Sequence, residues 1–413
     1  MSGLYAILLA SPALLMLVVG VIPNSHANRR AGLLRRLVPL LLVWQFVSVV
    51  AFELRLGSGP LVANGQVGVV PIGIFLDGVS ALMMGMVSLV GWVICTYSIR
   101  YLDSDPDQGR YFRWASFTIG SVLMLVVSGN LAMFACFWIA TSMGLHQLLV
   151  QRGDRAAATR AAWTKFGISR IGDAALIFAV FLIHSEFGTI RFDQLFLLLS
   201  DSEAASTTAK FASIFLVVGA MTKSAQFPFH SWLPMTLETP TPVSALMHAG
   251  IVNAGGFLII RMSPMLVHAP LALNLLAVVG TVSVLLGLVV MSTQTSIKKA
   301  LAYSTVAQMG FMMLQCGLGA FSAAMLHILA HSIYKAHAFL NSGTSVARNT
   351  YRDDSGALGT TMPGYVAFSK VRWATLAAVS CSILAMFAGS LLVFQIDIVQ
   401  KPGGLLLGSL FCV

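Results

Sequence analysis

The chain has 413 residues, of which only 40 are charged, 25 basic and 15 acidic. With 57% apolar residues, 10% charged residues and a net charge of +10, it cannot cover a soluble surface, where roughly a quarter of residues are charged. This excludes a soluble enzyme, a disordered chain and a nucleic-acid binder, and it predicts an all-α polytopic membrane protein.

A helix that spans the bilayer needs about 20 apolar residues. In chain order, apolar runs fall at 3–22, 37–53, 73–99, 112–129, 130–150, 165–187, 208–227, 241–262, 270–292, 297–317, 319–346 and 371–395, with a thirteenth at 401–413. About 12–13 transmembrane helices are therefore expected. The first 22 residues carry no basic n-region and read as a first span, not a cleaved leader. Basic residues sort by loop. Arg29, Arg30, Arg35 and Arg36 follow the first run, Arg100, Arg110 and Arg113 the third, Arg152, Arg155, Arg160 and Lys165 the fifth, and Arg348, Arg352, Lys370 and Arg372 the eleventh. The alternate loops hold only Arg55, Arg191, Lys210 and Arg261. Lys and Arg accumulate on the cytoplasmic side, so the N-terminus is expected outside, periplasmic in a bacterium. No Pro-, Gly- or Ser-rich linker divides the chain, and 1–413 reads as one membrane domain. The cysteines at 95, 136, 316, 381 and 412 lie singly in apolar runs without ligand spacing, so no disulfide framework or protein-bound zinc is expected.

Ionisable groups at membrane depth are costly and mark function by default. Lys223 lies within IFLVVGAMTKSAQFPFHSWLP, five residues before Pro228. Proline breaks a helix, and irregular backbone at this depth needs protein or a watery cavity around it. A lysine there suits a proton or ion relay. His248 lies nearby in sequence with His230 and Glu238, and imidazole titrates near neutral pH. His327, His331 and Lys335 recur every four residues, so they share one helix face about 6 Å apart. With His337 they form a candidate proton path; too few ligands accompany them for a metal site. Lys298 and Lys299 either anchor a helix start or enter the channel. Arg170 and Asp173, spaced i, i+3, can pair on one face, and Asp77 is the remaining buried charge.

AMTKSAQFPFHSWLPMTLETPTPVSALMHAGIVNAGGFLIIR, SIKKALAYSTVAQMGF and AAMLHILAHSIYKAHAFLNSGT resemble the antiporter-like membrane subunits. These include the largest proton-pumping subunit of complex I (subunit L, chain 5) and the A subunit of Mrp-type sodium/proton antiporters. The resemblance covers roughly residues 70 to 400. It implies two inverted repeats with broken helices, with Lys223 as the first broken-helix lysine and His248 following it. Lys298 or Lys299 would be the bridging lysine, and His327, His331 and Lys335 would lie in a hydrophilic axis. Two departures stand out. The family's glutamate partner of the lysine is Ile139 here, within FWIATSMGLHQLL, so Asp173 or Glu238 would have to supply the counter-charge. The second broken-helix lysine is Ile396, which leaves Asp397.

The Ile139 pattern resembles the DabB branch, membrane subunits of bacterial inorganic carbon accumulation systems. That resemblance implies a proton- or sodium-conducting subunit of the cell inner membrane, not itself an enzyme and without a cofactor of its own. Its partner would be a DabA-like, zinc-containing subunit of carbonic-anhydrase type that carries the CO₂ chemistry. A complex I or Mrp-type subunit is the alternative.

Overall fold

The computed structural model describes residues 2–55, 60–67, 70–153, 155–200 and 206–355. The chain divides into two compact units, Met1–Leu340 and Asn341–Val413. In the second, the described residues are helical as far as Ser355; everything below concerns the first. Asp397, and the expected helices at 371–395 and 401–413, lie outside the described residues.

The first unit is almost entirely helical. It begins with α1 (Ser2–Val21), α2 (Asn24–Arg29) and α3 (Ala31–Arg55). A hairpin of β1 (Leu61–Val67) and β2 (Val70–Leu76) follows. Next come α4 (Gly78–Tyr101), α5 (Gln108–Val126), α6 (Leu131–Leu149), α7 (Ala156–Phe187), α8 (Phe192–Ser200) and α9 (Thr207–Lys223). The chain continues through α10 (Thr241–Ala249), α11 (Ala254–Arg261), α12 (Ser263–Leu266), α13 (Pro270–Ser292), α14 (Ile297–Gly317) and α15 (Phe321–Ser355). Among the described residues, six spans are long and apolar enough to cross a membrane: α3, α4, α6, α7, α10 with α11, and α13. Large apolar side chains such as Leu40, Phe181, Val278 and Val289 are exposed on the helices, as a lipid-facing surface requires.

Local chemistry sets the helix ends. Asp77, Asn130 and Ser206 cap α4, α6 and α9 by accepting from the backbone N–H three residues on, the ordinary N-cap geometry. Gly188, at φ +66°, closes α7 in the left-handed region, which a residue without Cβ enters freely. Lipid does not drive apolar helices together, so tight association relies on small residues. Along α13 and α14, a Cβ on Gly310 would sit 2.8 Å from the Gly280 carbonyl oxygen, and one on Gly287 would sit 2.7 Å from the Ala307 nitrogen.

The hairpin corrects the expected span at 73–99, since helix begins only at Gly78. Residues 61–76 hold Asn64, Gly65, Gly68, Gly73 and Pro71 among Val, Ile and Phe, a composition poor for helix and suited to strand. β1 pairs antiparallel with β2 from Leu61↔Leu76 to Val67↔Val70. The other edge of β2 is also occupied. Phe75 N–H donates to the Val127 carbonyl at 3.0 Å, and Gly129 N–H to the Gly73 carbonyl at 2.7 Å.

Candidate functional site

α9 stops at Lys223, and Ala225 then turns the chain at φ +50°. Turns carry the backbone to Met235, and regular α-helix resumes at Thr241. The break expected from Pro228 is present, and it leaves Lys223 at a helix end inside the protein. Lys223 is 5% exposed. Its Nζ donates to the Trp138 carbonyl at 2.9 Å and to the Ser142 hydroxyl at 3.0 Å. It also lies 4.6 Å from the centroid of the Trp138 ring, within cation–π range. The lysine is thus held by two oxygens and an aromatic face of α6, the helix that carries Ile139. α7 reaches α9 closely at Gly172, where an added Cβ would lie 1.9 Å from Thr222 Oγ1.

α7 adds three charged groups to this site. Arg170 Nη2 stands 2.6 Å from Asp173 Oδ2, the i, i+3 pair expected from spacing. Asp173 is buried and couples electrostatically to Lys223, Arg170 and Lys165. Glu238 does not serve Lys223. It pairs with Arg155, and the two side chains are 40% and 47% exposed. The chain turns away after Met235, which carries Glu238 to the rim beside the start of α7. Of the two expected counter-charges, only Asp173 lies within electrostatic reach of Lys223.

A second polar group lies between α10, α14 and α15. His248 is buried; its Nδ1 is 3.0 Å from Thr305 Oγ1, and its ring stacks on Phe339 at 4.2 Å between centroids. His327 and His331 stack at 6.1 Å. Lys335, fully buried, donates to the Leu301 carbonyl at 3.1 Å and to the Ser304 hydroxyl at 2.7 Å. His331 couples electrostatically to Lys335, His327 and His248, yet neither of its ring nitrogens has a hydrogen-bond partner among the described residues. Buried polar atoms are ordinarily hydrogen-bonded, so this imidazole is an exception. The two groups are joined by short polar links. Ser224 Oγ donates to the Val252 carbonyl at 2.6 Å, and Asn253 Nδ2 to Ser332 Oγ at 2.7 Å.

His337 and Lys299 are exposed and stand off this line. His337 lies two residues past Lys335 and so faces another direction on the helix. Lys298 is partly buried and donates to the Thr239 carbonyl at 3.2 Å, which ties the start of α14 to the broken-helix loop. Asp77 stands at the start of α4. It caps α4 and clasps Arg261 with bonds of 2.7 and 3.0 Å. Among the described residues, no three His, Cys, Asp or Glu side chains gather as a metal site.

Sequence reasoning missed Lys165 and Ser142. Lys165 counts as a loop residue when the fifth loop is taken to run to 165, but α7 begins at Ala156. Its side chain is 2% exposed, and its Nζ donates to the Ser142 carbonyl at 2.8 Å. The available signal was the small-residue stripe Ala158, Ala161, Ala162, Gly172, Ala175 and Ala179, all buried, into which Lys165 falls at helical spacing. It missed Arg261 as well, which is buried among Phe75, Phe192 and Phe257.

The chain resembles known proteins in sequence and in fold. A family described as NADH:quinone oxidoreductase/Mrp antiporter, TM, matches residues 128–410, and one described as complex I chain 5 N-terminus matches 66–112. A probable inorganic carbon transporter subunit DabB2 from Halothiobacillus neapolitanus is 42% identical over 82% of this chain and 63% of its own length. DabB from Hydrogenovibrio crunogenus is 40% identical over 68% of this chain and 54% of its own length. The chain therefore spans about half to two thirds of these relatives. The solved Mrp complex from Dietzia sp. DQ12-45-1b superposes with a TM-score of 0.70 at 25% identity, over 82% of this chain and 37% of that one.

Proposed function

The chain belongs to the NADH:quinone oxidoreductase/Mrp antiporter transmembrane family, and from that premise we propose that it is a proton- or sodium-conducting subunit of an inorganic carbon accumulation complex. The observation that carries conduction is Lys223, buried at a helix break and held by the Trp138 carbonyl and the Ser142 hydroxyl. Ions would pass between Lys223 with Asp173 and the line of His248, His327, His331 and Lys335. A buried lysine and imidazoles serve a conductor and burden a mere anchor, which would avoid their cost.

The relatives named as inorganic carbon transporter subunits support CO₂/bicarbonate accumulation as the process that the ion gradient drives. In this reading the chain is not an enzyme. A DabA-like partner of carbonic-anhydrase type binds zinc and performs the hydration, and the N-terminus faces the periplasm of a bacterial inner membrane. The test is inorganic carbon uptake in cells that carry Lys223→Ala at normal membrane abundance. At least a tenfold loss is expected; unchanged uptake removes Lys223 from the mechanism.

The likeness to the Mrp complex favours a second reading, a subunit of an Mrp-type antiporter or of complex I. The co-purifying proteins separate the two. A zinc protein of carbonic-anhydrase type supports the first, and flavin or iron–sulfur subunits, or further Mrp subunits, support the second.

A further inference from the structure

Two lysines from different helices converge on one serine of α6. Lys223 donates to the Ser142 hydroxyl at 3.0 Å, and Lys165 donates to the Ser142 carbonyl at 2.8 Å. All three residues are buried. Among the described residues neither ammonium pairs directly with a carboxylate, because Asp173 is taken by Arg170 at 2.6 Å. The groups that face the pair are Arg170 and Asp173 on α7 and His146 on α6. Three cations therefore share one carboxylate, with a histidine beside them. Like charges in a dry site disfavour each other, and the arrangement is relieved when one of the two lysines is neutral. A neutral amine accepts a hydrogen bond from a serine hydroxyl, which an ammonium cannot do.

We propose that Lys165 is the exchange partner of Lys223, the two amines sharing one proton that passes through the Ser142 hydroxyl. The proposal rests on the ion-conduction reading of Lys223. In the step, the ammonium of Lys165 moves from the Ser142 carbonyl to the hydroxyl of the same residue and gives Oγ a proton. That hydroxyl gives its own proton to the neutral amine of Lys223. One N–H bond breaks on Lys165 and one forms on Lys223, so a positive charge moves from α7 to α9 with no other reactant. An amine then occupies the role for which Ile139 provides no carboxylate.

The experiment measures proton flux across liposomes that contain the complex as purified, with an imposed pH gradient and a pH-sensitive dye. It compares wild type with Lys165→Gln, Lys165→Arg, Ser142→Ala and Lys223→Gln. Glutamine keeps a donor for the Ser142 carbonyl but carries no exchangeable charge, and arginine keeps donor and charge but does not release its proton. Both are expected to lower flux at least tenfold. The two-step pH profile of a coupled pair is expected to become a single step in Lys165→Gln. Full flux in Lys165→Arg would make Lys165 a fixed structural charge and overturn the proposal, as would Lys165→Gln within twofold of wild type. If neither Lys165 variant folds, Ser142→Ala decides, since it leaves both lysines and the carbonyl in place. A tenfold loss supports the relay, and unchanged flux overturns it. Unchanged flux in Lys223→Gln would sink the conduction reading itself. An inactive Lys223→Gln beside an active Lys165→Gln removes only the exchange partner.

Discussion

Asp77→Asn isolates one buried charge without changing shape. Arg261 has a side chain only 4% exposed, and it is clasped by Asp77, itself 28% exposed, at 2.7 Å. It also donates to the Ser80 hydroxyl and lies 5.3 to 5.9 Å from the ring centroids of Phe75, Phe192 and Phe257. The clasp fastens the end of α11 to the junction of β2 and α4. Removing one partner of a fully buried ion pair costs about 3–5 kcal/mol. Water reaches Asp77, and the aromatic faces still hold the guanidinium, a stabilisation of about 1–2 kcal/mol, so the expected loss is about 2–3 kcal/mol. Asparagine still caps α4; Asp77→Ala should cost about 1 kcal/mol more through the lost cap. Adding Arg261→Met to Asp77→Asn should recover part of the loss, because the orphaned charge is gone.

The pH dependence of this clasp has a definite sign. Burial alone would raise the Asp77 carboxyl, but Arg261 and the Ser80 N–H hold it below its usual range. Its contribution is complete above the unfolded value of about 3.9 and disappears as pH falls through the lower folded value. Unfolding of the purified protein in mild detergent, followed by SDS titration, should therefore show a wild-type advantage over Asp77→Asn that is flat from pH 8 to about 5. The advantage should shrink only in stronger acid. Equal unfolding of the two proteins at pH 7 would mean that the Asp77–Arg261 clasp adds no stability.

Two further outcomes follow from the site. His331→Phe removes two buried nitrogens that have no hydrogen-bond partner among the described residues and should leave stability unchanged or raise it by about 1–3 kcal/mol, while ion flux falls at least tenfold; a stable variant with normal flux would take His331 out of the path. Glu238→Gln breaks a half-exposed pair with Arg155, worth at most about 1 kcal/mol, and flux should stay within twofold of wild type. A tenfold loss would restore Glu238 as a counter-charge of Lys223.

The helical fold was legible because apolar runs about 20 residues long are a local signal. The stripe from His327 to Lys335 was legible for the same reason, since helical spacing alone places it on one face. The β hairpin was not, because Ile, Val and Phe at 70–76 read equally well as the start of a membrane helix. Only pairing with β1 and with the chain at 127–129 decides between the two. Lys165 was hidden by a boundary error of some nine residues at the start of α7. Glu238 was misassigned because closeness in sequence says nothing about the direction of the chain after a helix break. The convergence of Trp138, Ser142, Lys165 and Lys223 joins three helices, and no single stretch of sequence records it.

Conduction in the proposed function turns on Lys223. Its most direct test is gradient-driven proton and sodium flux in liposomes that contain the purified complex, wild type against Lys223→Met, at matched protein content and with equal detergent stability. Wild type should carry flux, and the variant should lose at least tenfold. Equal flux from both proteins would contradict conduction through Lys223.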